Sequence, residues 1–425
     1  MELFILFALF ILLVFAGIPI SVAMLFSSIV SIVLFGMPGV IAAERMLNSI
    51  DSFPLLAVPF FILAGNIMNQ AGLTRRLVSA SRAVVGHYYG GTAQVNVVTS
   101  IVFAGISGSA TADCAAIGST LIPSMRREGY DPGFSAGITA ASSMIGPVIP
   151  PSIGMIVYAS ITGLSVARLF IGGIVPGLMM GLALMIYIGL VSPRRGYPKS
   201  DRIPWGQRFR IIFRALPALM APIILIGGIV SGLYTATEGG VVACVYALFV
   251  GFLVYKDLKL KDLPELLSVA AQMTAVPLFI LACASTFGFL LTIYGFGDML
   301  INILTMFDPN PTMLLFMLVV FFLLVGCFVE GMAAMIIFVP VIMPIIPAFD
   351  LDPIHLALII HVTILVGTIT PPVGMMLYIV ASISDIPVYE VEVWPFVIVI
   401  GMVILIMVLF PPLTTFLPTY FMGPL

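Results

Sequence analysis

Residues 146–151 read Gly-Pro-Val-Ile-Pro-Pro and interrupt one long apolar segment, and residues 367–372 read Gly-Thr-Ile-Thr-Pro-Pro and interrupt another. Proline lacks an amide hydrogen and its ring clashes with the preceding helical turn, so neither stretch can continue an α-helix. The two stretches therefore predict two broken helices, near residues 133–158 and 354–380.

The two interruptions belong to an internal repeat. At one constant offset, Gly, Pro and Asp residues align with identical residues: Gly105 with Gly326, Pro123 with Pro344, Asp131 with Asp352, Pro132 with Pro353, Gly146 with Gly367, Pro150 with Pro371 and Pro151 with Pro372. Composition alone predicts roughly one such identity or fewer over this span. We therefore predict two repeats, residues 1–200 and residues 201–425.

The composition excludes a soluble protein. Of the 425 residues, 61% are hydrophobic and only 8% are charged, whereas soluble chains carry about 25% charged residues. Apolar runs long enough to cross a hydrocarbon core of roughly 30 Å recur along the whole chain. We predict an all-α, multi-pass membrane protein with about ten spanning helices, two re-entrant hairpins and two broken helices.

Basic residues indicate the orientation. All 17 Lys and Arg residues precede Asp262, and most fall into four clusters, which the positive-inside rule assigns to the cytoplasm. These clusters are Arg75, Arg76 and Arg82; Arg126 and Arg127; Arg194 to Arg214; and Lys256, Lys259 and Lys261. Later loops instead carry Asp308, Asp350 and Asp352, which suits the opposite face, and we expect both termini there. The N-terminus lacks the basic region of a cleaved signal peptide, so we expect the first apolar segment to remain.

Segment 92–123 begins and ends beside cytoplasmic clusters, so it predicts a hairpin that enters and returns on the same side. Its counterpart, segment 312–348, would enter from the opposite face, which makes the repeat one of inverted topology. Segments 71–90 and 293–311 are less apolar and predict connecting arms along the membrane surface. The longest polar stretch, residues 193–214, reads as a loop.

The breaks and hairpin tips predict ion and solute sites. Unpaired backbone inside a membrane is tolerated only where it is buried or lines a cavity, and its carbonyl oxygens suit an alkali cation. Ser107, Ser109 and Thr111 offer hydroxyls at the first tip, and the helix that follows directs its amide end towards an anion. This pairing of cation and anion sites is typical of a cation-coupled transporter for an acidic solute.

Four carboxylates lie within apolar segments, where each costs about 2.5–3.5 kcal/mol. Asp113 can cap the second helix of its hairpin, or it can also orient the tip and offset a bound cation; the two roles are compatible. Glu330 has no carboxylate counterpart at Ser109, and both a structural and a functional role stay open. Glu238 is predicted to cap a helix with the preceding threonines, and Asp298 to lie at the interface.

Histidine and cysteine spacings do not predict a metal site or a disulfide framework. We expect the two later histidines and the four cysteines to pack in the interior or at an interface: His355, His361, Cys114, Cys244, Cys283 and Cys327.

The motifs resemble those of the large membrane subunit of TRAP transporters, the tripartite ATP-independent periplasmic family, over essentially the whole chain. The matching stretches are residues 54–65 (Pro-Leu-Leu-Ala-Val-Pro-Phe-Phe-Ile-Leu-Ala-Gly), 107–113 (Ser-Gly-Ser-Ala-Thr-Ala-Asp), 142–152, 235–238 (Thr-Ala-Thr-Glu) and 368–374. The second tip, with Gly331 after Glu330, departs from the Met-Glu-Thr of many relatives, so carbonyl oxygens would replace a hydroxyl there.

This resemblance implies a sodium-coupled, elevator-type importer of an organic acid in the bacterial inner membrane, without a cofactor other than the coupling Na⁺. It implies a separate small four-helix membrane subunit and a periplasmic substrate-binding protein as partners. It assigns cation binding to Ser107, Asp113, Gly146, Val148 and Pro150 in one site, and to Gly326, Gly331, Gly367, Thr370 and Pro371 in the other. It assigns solute binding to Ser107, Ser109, Thr111, Glu330 and Thr237. C4-dicarboxylates, sialic acids and other sugar acids are the solutes it implies.

Three alternatives make different predictions. A stand-alone sodium-coupled symporter of the divalent-anion fold would need no binding protein, but its Ser-Asn-Thr tip motifs do not occur here. A channel would need one continuous pore rather than two separate breaks. An intramembrane enzyme would need a basic partner for Ser107 or a metal motif, and neither occurs near it in sequence. Nothing in the chain predicts a nucleic-acid partner.

Overall fold

The computed structural model describes residues 1–307 and 309–424, so Asp308 lies outside the described part. Within it the chain is helical. The first half contains α1 (Glu2–Phe15), α2 (Ile20–Leu34), α3 (Val40–Ile50), α4 (Ala57–Gln70), α5 (Leu73–Val85), α6 (Gly91–Ser107), α7 (Ala110–Arg127), α8 (Pro132–Ser143), α9 (Ile153–Thr162) and α10 (Val166–Arg195). The second half contains α11 (Trp205–Val230), α12 (Ala236–Phe249), α13 (Leu263–Ile293), α14 (Phe296–Thr305), α15 (Pro311–Phe328), α16 (Gly331–Ile342), α17 (Ile345–Ala348), α18 (Pro353–Gly367), α19 (Met375–Ser384), α20 (Trp394–Leu409) and α21 (Pro412–Met422).

The predicted hairpins and the predicted helix breaks are present in both halves of the chain. Helices α6 and α7 make the first hairpin, and α15 and α16 make the second. Helices α8 and α9 flank the first break, and α18 and α19 flank the second. The peptide bonds Pro150–Pro151 and Pro371–Pro372 are both cis. The orientation of the repeats across a membrane and the boundary at residue 200 stay predictions.

The repeated Asp-Pro pairs start the broken helices. The Asp131 carboxylate accepts hydrogen bonds from the amides of Gly133 and Phe134, at 2.8 and 3.3 Å. The Asp352 carboxylate accepts one from the His355 amide at 2.8 Å. Acidic caps satisfy amides that lack a helical partner, and proline is favoured in the first turn because it has no amide hydrogen to satisfy. These two aligned positions therefore repeat for a local structural reason.

Six helical stretches in the described residues are individually long and apolar enough to cross a membrane: Phe53–Gln70, Val166–Arg195, Trp205–Val230, Ala236–Tyr255, Leu260–Ile293 and Pro311–Phe328. Helices α20 and α21, bent by 59°, would form a seventh span as one unit. Other apolar helices have 10–17 residues, as re-entrant and broken helices require. The chain is thus a multi-pass membrane protein, while the count of about ten spans stays a prediction.

The predicted loop at residues 193–214 is wrong. Helix α10 continues to Arg195 and α11 begins at Trp205, which leaves only residues 196–204 between them. Trp205, Phe209 and Phe213 follow each other at helical spacing, so this basic stretch forms an amphipathic helix start. The two predicted arms do form helices, α5 and α14, whereas the short helix α3 was not predicted.

The two broken helices occupy the centre of the protein. Every residue from Gly133 to Ser143, and every residue from Ile354 to Gly367, is buried. Helix α18 is largely apolar on all sides, as expected in such a position. Helix α8 also buries hydroxyls, which donate to carbonyl oxygens of the preceding turn. The first break, residues 144–152, is likewise buried throughout, whereas Pro372 in the second break is exposed. Unpaired backbone at membrane depth persists where it is buried or lines a cavity.

Candidate ion and solute sites

The first hairpin tip packs directly onto the first break. Gly108 at the tip has a φ of +62°, and a methyl group there would lie 2.4 Å from the carbonyl oxygen of Pro151. Only glycine combines this backbone conformation with so close an approach. Ser109 caps α7 by accepting a hydrogen bond from the Ala112 amide at 3.5 Å.

Asp113 connects the same tip to the same break. It is fully buried in the first turn of α7, and the Ser107 hydroxyl donates a hydrogen bond to its Oδ1. Its Oδ2 is buried and has no hydrogen-bond partner in the described part of the chain. That oxygen lies against Gly146, because a methyl group on Gly146 would come within 2.0 Å of it. Asp113 therefore orients the tip through Ser107 and leaves one carboxylate oxygen free beside the break.

Such a buried, unpartnered carboxylate oxygen needs a positive partner or a proton, since an isolated charge in an apolar interior is costly. Carboxylate, hydroxyl and carbonyl oxygens are the ligands that hard cations prefer. The residues around Asp113 thus fit an alkali cation. The carbonyl oxygen of Val148, another predicted ligand, lies against Gly173 of α10, where a methyl group would be 2.3 Å away.

The second hairpin meets the second break through glycine. A methyl group on Gly367 would lie 2.5 Å from the Cα atom of Gly326, and one on Gly326 would lie 2.6 Å from the Ile364 carbonyl oxygen. The Gly374 amide also donates to the Cys327 carbonyl oxygen at 3.1 Å. Helices α15 and α18 therefore touch backbone to backbone.

Two hydroxyls accompany the second break. Thr368 donates to the Leu365 carbonyl at 2.6 Å, and Thr370 donates to the Val366 carbonyl at 2.7 Å. A donating hydroxyl keeps its lone pairs available to a cation. The position aligned with Asp113 is Ala334, so this second group of ligands contains no equivalent carboxylate.

The caps of the two tips differ in charge. At the second tip the Glu330 carboxylate accepts hydrogen bonds from the amides of Met332 and Ala333, at 3.0 Å each. It therefore occupies the amide end of α16 that would otherwise favour an external anion. At the first tip the cap is the neutral side chain of Ser109. The Asp113 carboxylate in the first turn of α7 faces Ser107 and Gly146 and does not line the cavity, so no carboxylate caps the amide end of α7 there.

A cavity lies between the tips as two adjacent spaces of about 210 and 220 Å³. Ser109, Thr111, Glu330 and Met332 line both spaces. Helices α4 and α13 close one side, with Asn66 and Asn69 contributing amides, and α18 and α19 close the other. Among the described residues that line these spaces, Glu330 is the only Asp, Glu, Lys or Arg.

His361 was predicted to pack or to lie at an interface, and the structure gives it a more specific contact. Its Nε2 lies 2.8 Å from the Pro147 carbonyl oxygen in the first break. Its Nδ1 lies 3.4 Å from the Met335 sulfur of the second hairpin. His361 thus joins parts of both predicted repeats, a long-range contact that no local spacing in the sequence indicates.

The remaining predicted residues do not all reach the cavity between the tips. Thr237 does not line the cavity; its hydroxyl donates to the Phe53 carbonyl at 2.9 Å. Glu238 forms the predicted capping box with Thr235. Gly331 begins α16 with ordinary contacts to Ile364 and Thr368. The structure therefore brings Ser107, Ser109, Thr111, Asp113 and Glu330 to the tips, but not Thr237.

His355, the four cysteines and Asp298 lie outside the candidate ion and solute sites. His355 is buried against α21, with Nδ1 2.6 Å from the Thr414 hydroxyl, and all four cysteines are free and buried. Asp298 is exposed in the first turn of α14. No cluster of three or more His, Cys, Asp or Glu side chains suited to a metal occurs among residues 1–307 and 309–424.

Known structures share this architecture. A structure of the Alcanivorax borkumensis YdaH transporter superimposes with a TM-score of 0.63 at 14% identity, covering 88% of this chain and 87% of that one. A structure of Neisseria gonorrhoeae MtrF gives a TM-score of 0.60 at 12% identity, covering 86% and 83%. At these identities the likeness concerns the fold alone.

Sequence comparisons identify the family. A family model described as the tripartite ATP-independent periplasmic transporter, DctM component, matches residues 7–413. The sialic acid TRAP transporter large permease protein SiaM of Vibrio cholerae is 36% identical over 87% of each chain. The C4-dicarboxylate large permease protein DctM of Pseudomonas aeruginosa is 38% identical over 80% of each chain. The sialic acid permease protein SiaT of Haemophilus influenzae is 37% identical over 80% of this chain, which spans 56% of that longer protein.

With its two broken helices, its paired hairpins and its match along nearly the whole length, the chain belongs to the DctM component family of tripartite ATP-independent periplasmic transporters, as a multi-pass inner-membrane permease and not an enzyme.

Proposed function

We propose that this permease imports an organic acid by sodium symport and receives the solute from a periplasmic binding protein. One observation carries the sodium part of the proposal. The Oδ2 of Asp113 is a buried carboxylate oxygen without a hydrogen-bond partner in the described residues, and it faces the backbone of the first break. A monovalent cation at this position would complete its interactions.

The first cation would be held by Ser107 and Asp113 together with backbone oxygens of Gly146, Val148 and Pro150. The second would be held by backbone oxygens near Gly326, Gly331, Gly367 and Pro371 and by the Thr370 hydroxyl. Both groups combine a hairpin with a break, so a bound cation would hold each hairpin against its break. Cation binding would thereby order the tips and favour solute binding, a positive coupling between sites.

The solute would bind between the tips, with its carboxylate at the first tip. There the hydroxyls of Ser109 and Thr111 and the open amide end of α7 favour an anion. Glu330 lies across the cavity, where it would repel a second carboxylate but accept hydrogen bonds from hydroxyl groups. Names of relatives include sialic acid, 2,3-diketo-L-gulonate and C4-dicarboxylate permeases, which supports an organic acid as the solute.

The proposal also includes two protein partners and a movement of the transport site across the membrane. The description "tripartite" supports two further components, and we assign these roles to a small membrane subunit and a periplasmic binding protein. The hairpins and broken helices would move as one block against the outer helices, exposing the site alternately to each side. Each net positive charge carried inward would gain about 2.3 kcal/mol per 100 mV of membrane potential.

Uptake into proteoliposomes tests the proposal. The permease and its small partner are reconstituted, sodium gradients are imposed, and labelled organic acids are offered with and without the binding protein. We expect uptake only with both sodium and the binding protein. Uptake that needs sodium but not the binding protein would identify a stand-alone symporter, and uptake driven equally by potassium or protons would refute sodium coupling.

A further inference from the structure

A second polar space is formed by helices that do not belong to either hairpin. It is a groove of about 910 Å³ between the start of α5, the beginning of α11 and the segment that follows α12. Its lining includes the guanidinium groups of Arg75, Arg76 and Arg214, with Tyr255 and Asp257. None of these residues belongs to the predicted ion or solute sites.

The groove has an excess of positive charge. Arg76 forms an ion pair with Asp257 at 2.8 Å and lies over the Tyr255 ring at 3.8 Å. It also donates to the Ala71 and Gly72 carbonyls, so it is held in place. Arg75 and Arg214 are exposed and make no ion pair in the described chain. The groove is thus lined by three arginines and one carboxylate, and only Arg76 pairs with that carboxylate.

Two of the guanidinium groups, those of Arg75 and Arg76, meet beside Gly72. A methyl group there would lie 2.9 Å from an Arg76 nitrogen and 3.7 Å from an Arg75 nitrogen. The Asp257 carboxylate, 3.1 Å from the same position, offsets the charge of Arg76. The charge of Arg75 has no counterion in the described chain, and a nearby anion would reduce its repulsion from Arg76. Arginine pairs with phosphate through two parallel hydrogen bonds, which makes this arrangement suited to a phosphate group.

The surroundings of the groove are those of a membrane interface. Its other wall is apolar, with Phe213 63% and Val254 43% exposed. One turn earlier on α11, Phe209 stacks on Phe213, and Trp205 at the helix start is 80% exposed. Trp and Tyr side chains are enriched at the depth of lipid headgroups, and Trp205 and Tyr255 fit that depth. A ligand here would meet phosphate-binding charge on one side and an acyl-chain surface on the other.

We propose that this groove binds the phosphate of an anionic phospholipid, with Arg75 and Arg214 as its ligands and the Phe213–Val254 wall against an acyl chain. Basic pockets at the ends of membrane helices bind such headgroups. The bound lipid would tie the arm helix α5 to α11. This inference does not depend on sodium coupling or on the identity of the transported solute.

The test is lipid binding to the delipidated permease in detergent, followed by native mass spectrometry and by thermal unfolding. The probes are phosphatidylglycerol, cardiolipin, phosphatidylcholine and inorganic phosphate. The variant is Arg75→Gln with Arg214→Gln, and the matched control is Arg127→Gln with Lys199→Gln, which removes two exposed charges outside the groove. Arg76 is left intact because it supports the fold.

We expect the anionic lipids to bind and to stabilise the wild type and the control, and phosphatidylcholine to do neither. The double variant should bind anionic lipid about thirty-fold more weakly, because each basic side chain contributes about a factor of five. Equal binding by the double variant, or equal binding of phosphatidylcholine, would refute the site. Saturation of the effect by inorganic phosphate alone would make this a free-anion site, and loss of lipid when the small subunit is added would make it a protein interface; either result overturns the lipid assignment.

Discussion

Asp113 uses its two carboxylate oxygens for different contacts. Oδ1 accepts the hydrogen bond of Ser107 at the hairpin tip, while Oδ2 faces Gly146 without a partner among the described residues. A carboxylate that only capped α7 would instead accept bonds from the free amides of that helix. The position of the side chain therefore favours a role in ordering the tip and in binding a cation over a role in capping alone.

The first prediction concerns this carboxylate. Asp113→Asn keeps the volume of the side chain and an acceptor for Ser107 but removes the charge. We expect the sodium concentration for half-maximal uptake to rise about ten-fold or more, because bonds to a charged group contribute about 1.5–3 kcal/mol. Ser107→Ala should act in the same direction. Sodium titrations of uptake in proteoliposomes measure the shift.

Glu238→Gln is the matched control for that experiment, since Glu238 is a capping carboxylate outside the cavity. It should leave the sodium dependence unchanged. Unchanged sodium dependence in Asp113→Asn as well would refute the first cation site.

The second prediction separates the two roles of Glu330. Glu330→Ala removes the helix cap and should lower stability by about 1 kcal/mol. Glu330→Gln keeps an acceptor for the amides of Met332 and Ala333 but removes the charge. It should lower the KM for dicarboxylates more than the KM for monocarboxylates, because only the second carboxylate meets Glu330. Thermal unfolding and uptake kinetics give the two results, and equal KM changes for both solute classes would show that the charge does not face the solute.

At the scale of elements, the contact between α15 and α18 depends on two glycines. Gly326 and Gly367 touch through their backbones, which no larger residue allows. Small residues at such crossings let membrane helices approach closely. This contact fixes the position of the second hairpin relative to the second break.

The third prediction follows from this contact. Gly367→Ala must separate the two backbones and should lower stability by about 1–3 kcal/mol, with loss of uptake. Gly401→Ala in α20 is the control, because a methyl group there meets no atom within 4 Å. Thermal unfolding of the purified variants compares them, and an equally stable Gly367→Ala protein would contradict the structure at this crossing.

Elements whose cause is local were predictable from the sequence. Proline and glycine at 146–151 and 367–372 forbid a continuous helix wherever they occur, and Asp131 and Asp352 start helices through their nearest amides. The start of α11 was missed because its arginines were read as a solvated loop rather than as one face of a helix. The contact of His361 with Pro147 could not be predicted, since it joins residues far apart in sequence whose proximity depends on the whole fold.

At the scale of the whole molecule, the predicted sites lie where hairpin and break meet, so cation binding should stabilise the protein as a unit. The distribution of basic residues is also a property of the whole chain, because no Lys or Arg follows Lys261. The likeness to YdaH and MtrF concerns this arrangement of helices, at sequence identities too low to carry information about solutes.

The fourth prediction is a sodium-dependent rise in global stability. Sodium at one hundred times its dissociation constant should add about 2.7 kcal/mol per site. We expect a higher unfolding temperature in sodium chloride than in potassium chloride at equal ionic strength, and a smaller difference in Asp113→Asn. Identical unfolding temperatures in both salts would argue against any sodium site in the resting protein.

The unlike caps of the two hairpins, neutral Ser109 and anionic Glu330, have a consequence for how a solute must travel. In the proposed binding mode, one end of the compartment between them suits a carboxylate and the other suits hydroxyl groups, so an asymmetric solute would bind in one direction only. The two hairpins align with each other in sequence, yet the same molecule would present its acidic end to one of them and its hydroxylated end to the other. Capture and release of the solute would then be chemically different events. A single side chain, Glu330, would determine which end of the solute leaves water first.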